Sequence, residues 1–438
     1  MLDLKLIRAD PEAVRAGARK KRIDCDVDAI LALDTGLRER GQQIDALRAE
    51  QKAAGKLVAQ AAPEDKQGVL ASLGELKGRL SELEGVHKQD QAQLHELMLR
   101  VPNLPAEEVP EGADDSDNVE LRTWGSPPQF AFEARDHISL AEAQGWLDVE
   151  RGARLAGSRN YVLMGELSLF ESAVMRYALD LMVERGFTPL SVPTLVRSEV
   201  MVGTGYFPGG EDQAYRCDER DDLCLVGTAE VPITALHQGE ILDSSQLPMR
   251  FVAQSTCYRR EAGTYGRDTR GLYRVHQFQK VEQVVIDSAD EAQSREHHAA
   301  ILQNAEDLLQ SLGLAYRVVN VCGGDLGAPQ VQKFDIEIWM PSREGYGETH
   351  SASRFHEFQA RRLSIRYRDK EGKVHYCHTL NNTVAASSRI LIALMENHQL
   401  PDGRIAVPAA LRPHMGGLEV IGQPIREVPV DEEDQAEE

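Results

Sequence analysis

The sequence predicts an α+β fold: a body built on an antiparallel or mixed β-sheet, preceded by an antiparallel two-helix coiled-coil arm. Two long apolar stripes of helical period occupy residues 29–98 and are separated by a proline and glycine break. Further on, strand candidates arrive as neighbours, without the regular strand–helix alternation of a doubly wound sheet. At 438 residues, 42% hydrophobic and 27% charged, the chain has globular composition and room for two or three domains.

In the first stripe Ile30, Leu33, Leu37, Ile44, Leu47, Ala54 and Leu57 share one face, while the other faces carry Arg, Glu, Gln and Lys. The second stripe runs through Leu73, Leu76, Leu80, Leu83, Leu94 and Leu97, with a lapse at His87 and Asp90. Pro63 and Gly68 mark the turn, and Pro102 and Pro105 the exit. Two helices of about 30 residues, rising about 1.5 Å per residue, make an arm about 45 Å long. Such an arm serves as a spacer or dimerisation hairpin, or it grips an extended partner. Residues 1–100 hold 17 basic and 17 acidic residues, so the formal charge of -21 belongs to the rest. The arm therefore repels a polyanion least.

The spacing assigns residues 1–105 to the arm domain and 106–128, acidic and ending in Pro127-Pro128, to a linker. Residues 129–430 form the body and 431–438, DEEDQAEE, an acidic disordered tail. Within the body, Leu167, Phe170, Val174, Tyr177 and Leu181 mark an amphipathic helix ended by Gly186. FTPLSVPTLV is extended and broken at Pro193. Strands are expected at 249–256, 273–285, 316–321 and 334–340, and a helix at 289–312.

The negative charge argues against a protein that coats DNA or clings to an anionic membrane. The N-terminus lacks an apolar signal region, and no apolar run approaches 18 residues, so neither secretion nor spanning is expected. Six dispersed cysteines without CxxC spacing fit a reducing cytoplasm. Dinucleotide, P-loop, zincin and hydrolase motifs are missing from the sequence.

The densest chemistry lies in CYRREAGTYGRDTRGLYRVHQFQKVEQVV, residues 257–285. Arg259, Arg260, Arg267, Arg270, Arg274 and Lys280 stand near Glu261, Asp268 and Glu282, with Gly263, Gly266 and Gly271 between them. Two strands joined by a basic, glycine-rich loop suit a polyphosphate or a nucleic-acid end, because guanidinium forks pair bidentately with phosphate. A surface salt-bridge network would use the same residues. The carboxylates favour a ligand with amino groups as well as phosphates, such as an amino acid joined to ATP.

This segment resembles motif 2 of the class II aminoacyl-tRNA synthetases, in the wording of the seryl-tRNA synthetases, and the flanks agree over nearly the whole chain. The resemblance implies a class II antiparallel catalytic sheet flanked by helices. It also implies ATP-dependent, Mg²⁺-assisted activation of L-serine to seryl-adenylate, then transfer to tRNA(Ser) and to the selenocysteine tRNA. Arg259 and Glu261 match ATP contacts, Arg259 also belongs to the implied serine-binding set, Val275 of the same motif to the ATP-binding set, and Glu282 matches a serine-holding glutamate. Thr228, Ala229 and Glu230 match the serine-binding TxE loop, and Pro193 matches the motif 1 proline of a homodimer interface. The stretch LNNTVAASSRILIALMENHQLPDGRIAVPAALRPHMGG, residues 380–417, resembles motif 3. There Arg389 matches a phosphate clamp, Asn381 opens the serine-binding turn and Thr383 supplies a hydroxyl. Arg259, Glu261 and Arg389 form the catalytic set. The stretch Glu348, Thr349, His350, Ser351 matches an ATP-binding segment, with Glu348 the Mg²⁺ candidate. The arm would then reach the long variable arm of tRNA through Lys52, Lys56, Lys77 and Arg79.

The chain departs from the family pattern at Ala352, where cysteine is usual, at Arg354, where asparagine is usual, and at Asn382, where glycine is common. These departures bear on amino-acid specificity and inhibitor sensitivity, and keep a divergent paralogue in view. A catalytically inactive tRNA-binding protein is a further alternative, opposed by the retained Arg259, Glu261, Glu282 and Arg389. An enzyme loading a carrier protein would have little use for the arm.

Overall fold

The computed structural model describes residues 1–60, 62, 65–218, 220–263 and 271–425. Pro63 of the expected turn, Gly266, Arg267, Asp268 and Arg270 of the basic loop, and the acidic tail lie outside the described residues. The chain divides into two units, Met1–Leu104 and Pro105–Glu438.

The first unit opens with two short helices, α1 (Leu4–Ala9) and α2 (Pro11–Lys20). Asp3 and Asp10 cap them by accepting from backbone N–H groups, and Pro11 occupies the first turn of α2, where no N–H partner is needed. The long helices are α3 (Val27–Gln60) and α4 (Lys66–Arg100). Their base buries Ile7, Val14, Val27, Ile30, Met98 and Val101, and their middle buries Ile44, Leu47 and Leu80 against Leu76 and Leu83. The expected stripe does not hold to its end, since Leu57 is 57% exposed. The lapse at Asp90 is explained by a cross-helix ion pair: Arg40 donates to its carboxylate at 2.7 Å. Lys52, Lys56, Lys77 and Arg79 are all exposed.

The second unit is organised by an eight-stranded sheet. Its strands are β1 (Val119–Trp124), β2 (Thr188–Leu190), β3 (Met249–Tyr258), β4 (Gln277–Asp287), β5 (Tyr316–Asn320), β6 (Gln332–Met340), β7 (Gly345–His356) and β8 (His378–Ala386). Their order is β1-β5-β6-β7-β8-β4-β3-β2, antiparallel except for the β2–β3 pair at one edge. Part of the expected linker is thus a strand: Val119–Trp124 forms an edge of the sheet, paired with β5. Every residue of it is exposed, so it lacks the alternation that marks a half-buried strand.

Helices α5 (Gly165–Glu184), α6 (Glu291–Ser311) and α8 (Ser387–Asn397) cover one face of the sheet. They enclose the main core, with Phe170, Val174, Leu308, Ile336, Leu391 and Leu394 all essentially without exposure. The short α7 (Phe358–Leu363) belongs to a second cluster with Ala229, Ile233 and Ile365. Polar side chains cluster where β4, β7 and β8 are not covered by the main core.

Candidate active site

Strand alternation creates the floor of the site. Phe278, Lys280 and Glu282 recur every second residue along β4 and line one cavity of about 240 Å³. Asn381 and Thr383 do the same on β8, and Thr383 Oγ1 donates to Glu282 Oε2 at 3.4 Å. Lys280 Nζ lies 2.6 Å from Glu282 Oε2, with both side chains buried. Asn381 Nδ2 is buried and has no hydrogen-bond acceptor among the described residues, leaving a donor in the wall for a ligand.

Arg259 follows the end of β3. Its backbone N–H donates to His276 O at 2.9 Å, and His276 Nδ1 returns a bond to Arg259 O at 2.8 Å. This reciprocal pair ties the adjoining ends of the two strands and gives His276 a structural task. The Arg259 guanidinium lies 5.3 Å from the Phe278 ring centre. Glu261 follows with φ 51°, a left-handed conformation that costs a non-glycine residue energy and recurs at functional sites. Arg274 meets its carboxylate at 3.4 Å.

A further part of the wall is set by Arg389, in the first turn of α8. Its Nη1 donates to Glu348 O at 2.6 Å and lies 3.6 Å from Glu348 Oε2, while Nε donates to Tyr273 O at 3.3 Å. The guanidinium sits 4.6 Å from the Tyr273 ring centre, a cation–π distance. Desolvation beside the cavity wall would raise the half-exposed Glu348 carboxyl, but the charges of Arg389, Lys333 and Arg259 outweigh it and hold the group below the usual carboxylate range.

Arg259, Glu261, Val275, Glu348, Thr349, His350, Ser351, Arg389, Glu230, Glu282, Asn381 and Thr383 all line this cavity. Thr228 and Ala229 do not: Thr228 Oγ1 accepts from Glu230 N at 3.2 Å, and Ala229 is packed in an apolar cluster. Pro193 is exposed, in the turn between β2 and the strand Leu195–Arg197. Glu230 is held by Tyr206 Oη and Gln359 Nε2, each donating at 2.8 Å to a different carboxylate oxygen. Burial, with Glu282 adding to it, raises its carboxyl to about 7.

The segment of family departures divides by strand face. Ser351 donates to Asp335 Oδ1 at 2.7 Å and Ser353 accepts from Gln330 at 2.8 Å on the cavity side. Ala352 and Arg354 point the other way, Ala352 into the core and Arg354 to Glu291 of α6. Asn382 also faces away, donating to Ile301 O of α6 at 2.7 Å. His350 is buried, with Nε2 bonded to Val384 O at 3.0 Å, and burial lowers it to about 4, so it stays neutral.

Tyr206, Tyr273 and Gln330 also line the cavity and were not singled out from the sequence; they arrive from separate loops. In the sequence Lys280 stands as one of several basic residues. Its signal was available in the spacing of two from Glu282 on one strand.

Residues 1–105 match the seryl-tRNA synthetase N-terminal domain, and residues 215–398 match the class II tRNA synthetase core domain for G, H, P, S and T. The serine–tRNA ligase of Deinococcus radiodurans is 50% identical over 97% of this chain and 100% of its own length. The seryl-tRNA synthetase of Pyrococcus horikoshii, solved with ATP, superimposes with a TM-score of 0.89 at 39% identity, covering 97% of this chain and 100% of that one. The cytoplasmic serine–tRNA ligase of Naegleria fowleri, solved with AMP, gives 0.86 at 32% identity, over 96% and 99% of the two chains. With half its residues shared over the full length of a relative, and both domains matched in order, the chain belongs to the seryl-tRNA synthetase family.

Proposed function

We propose that this chain is a serine–tRNA ligase that activates L-serine with ATP and passes the seryl group to tRNA. The observation that carries the reading is one cavity lined both by the buried carboxylates Glu230 and Glu282 and by the guanidinium groups of Arg259 and Arg389. An amino acid and a nucleoside triphosphate present the complementary groups: an ammonium for the carboxylates and phosphate oxygens for the arginines.

In the first step the serine carboxylate attacks the ATP α-phosphate, and the bond to pyrophosphate breaks. Arg259 and Arg389 are placed to neutralise charge that builds on the phosphates, as fixed donors do without reorganisation. Thr383 and Asn381 offer polar partners for the serine hydroxyl. A site that hydrogen-bonds a hydroxyl rejects the analogue lacking it by roughly four to five orders of magnitude. In the second step a terminal ribose hydroxyl of tRNA attacks the acyl carbon and AMP leaves.

Mg²⁺ would take Glu348 as its protein ligand, since this carboxylate is held ionised in the cavity. No group of three or more His, Cys, Asp or Glu that could hold a metal occurs among the described residues, so phosphate oxygens and water would complete the shell. The ion would add charge neutralisation at the phosphates.

The arm's exposed Lys52, Lys56, Lys77 and Arg79 would contact the long variable arm of tRNA(Ser), and the selenocysteine tRNA would be a second substrate. A homodimer is what the motif 1 resemblance at Pro193 implies, and Pro193 is exposed on the second unit. Among the described residues no helix is long and apolar enough to cross a membrane; the six free cysteines favour the cytoplasm. Exchange of labelled pyrophosphate into ATP tests the activation step, with serine, threonine, alanine, glycine and cysteine compared without tRNA. Exchange with serine supports the reading, and none with any of them overturns it.

A further inference from the structure

Gln359 does not line the cavity, yet it touches one of the buried carboxylates that do. It sits in α7 with 1% exposure. Its Oε1 accepts from Thr379 Oγ1 at 2.6 Å, and its Nε2 donates to Glu230 Oε1 at 2.8 Å and to Thr204 O at 3.0 Å. This pattern fixes the amide's orientation. Turning it over would set Oε1 against a carboxylate and a carbonyl, both acceptors, and would leave two buried oxygens without donors.

Glu230 and Glu282 differ in what holds them. Glu282 has the Lys280 ammonium at 2.6 Å. Among the described residues Glu230 has no cation at ion-pairing distance; its two oxygens take neutral donors, Gln359 behind and Tyr206 beside. Its ionised form is therefore directed but not paired with a cation.

We propose that Gln359, locked by Thr379, is a positioning residue that aims the Glu230 carboxylate at the ammonium of the amino-acid substrate and so sets amino-acid affinity. The proposal rests on the reading of the cavity as an amino-acid activation site. The groups facing Glu230 are Tyr206, Gln359, Glu282 and, further off, Lys280, so its proton affinity responds directly to a change at Gln359.

The test is serine-dependent pyrophosphate exchange by the full chain. Gln359→Met removes a hydrogen bond to a charged group, and should raise KM for serine about tenfold or more while KM for ATP stays within about twofold. Thr379→Val, which only frees the amide, should give a smaller rise, and Thr379→Ser should restore the wild-type value. Gln359→Glu keeps the shape but sets a second carboxylate against Glu230; like charges hold a proton more tightly, so the pH profile of serine KM should move up by about one unit or more. Equal loss of serine and ATP affinity together with a lowered melting temperature, or an unchanged serine KM in Gln359→Met, would overturn the proposal. Absence of serine-dependent exchange in the wild type would instead overturn the functional reading.

Discussion

Arg354, a side chain with no solvent exposure, donates from Nη1 to Glu291 Oε1 at 2.6 Å, from strand β7 to the start of helix α6. Gln332 accepts from its Nη2 at 3.2 Å, and its Nε has no partner among the described residues. A family departure that reads from the sequence as a charge near the substrate pocket is thus an internal tie on the opposite face of the sheet.

Removing Glu291 should therefore cost stability and spare chemistry. Truncating Glu291 removes a hydrogen bond to the buried Arg354 charge, and since Glu291 is 46% exposed water can partly replace it, so Glu291→Ala should cost about 1.5–3 kcal/mol, the range for a hydrogen bond to a charged group, rather than the larger penalty of a fully buried pair. Equilibrium denaturation reads this. The double variant Glu291→Ala with Arg354→Leu should recover most of the loss, and serine-dependent exchange below the melting transition should match the wild type.

Arg389 should show the reverse pattern. Its guanidinium reaches Glu348 O, Tyr273 O and the Tyr273 ring at once, a geometry a point ammonium cannot reproduce. Arg389→Lys should lower kcat/KM for ATP by about 10²-fold, the order lost when one fixed donor to developing charge is removed. Serine KM should change little, and the melting temperature should hold. A loss shared equally by both substrates would contradict the assignment.

The parts of this architecture that were legible in the sequence are those written by local period. The arm follows from its stripes, and the main strands and α6 follow from their apolar runs. Strand β7 was missed because it alternates between a polar cavity and a core that admits Ala352 and Arg354, so it carries no apolar signal. Motif resemblance brought Arg259, Glu282, Thr383 and Arg389 to one cavity from two separate segments of the chain. Gln359 and Tyr206 could not be found that way: each meets Glu230 from more than twenty residues away, and nothing local in their segments records the contact.

The arm offers a test that leaves the first reaction step untouched. Lys52, Lys56, Lys77 and Arg79 are exposed, so replacing all four by alanine should not disturb the buried seam of Ile44, Leu47 and Leu80. Each phosphate contact adds about 0.7–0.9 to the slope of log affinity against log salt, so the slope should flatten by up to about three units. Affinity for tRNA at physiological salt should fall by at least about tenfold, while pyrophosphate exchange without tRNA stays unchanged. Unchanged tRNA binding would remove the arm from the interface.

On the proposed reading Glu230 should couple serine binding to pH, with opposite signs for affinity and for stability of the free protein. Burial raises its carboxyl from the ordinary 4.5 to about 7, so the folded chain holds a proton that the unfolded chain has already released. Between those values the folded state binds more protons, and this group's contribution to stability falls as pH rises. An ammonium ligand selects the ionised form, so serine affinity should rise as pH goes from 6 to 8, and the gain should level off above about 7. Serine should accordingly raise the melting temperature more at pH 8 than at pH 6. Glu171 and Asp335 are also raised by burial and lend the free protein the same slope, so the comparison needs Glu230→Gln alongside. The difference between the two proteins isolates Glu230, and identical pH dependences of serine KM would remove it as the titrating group.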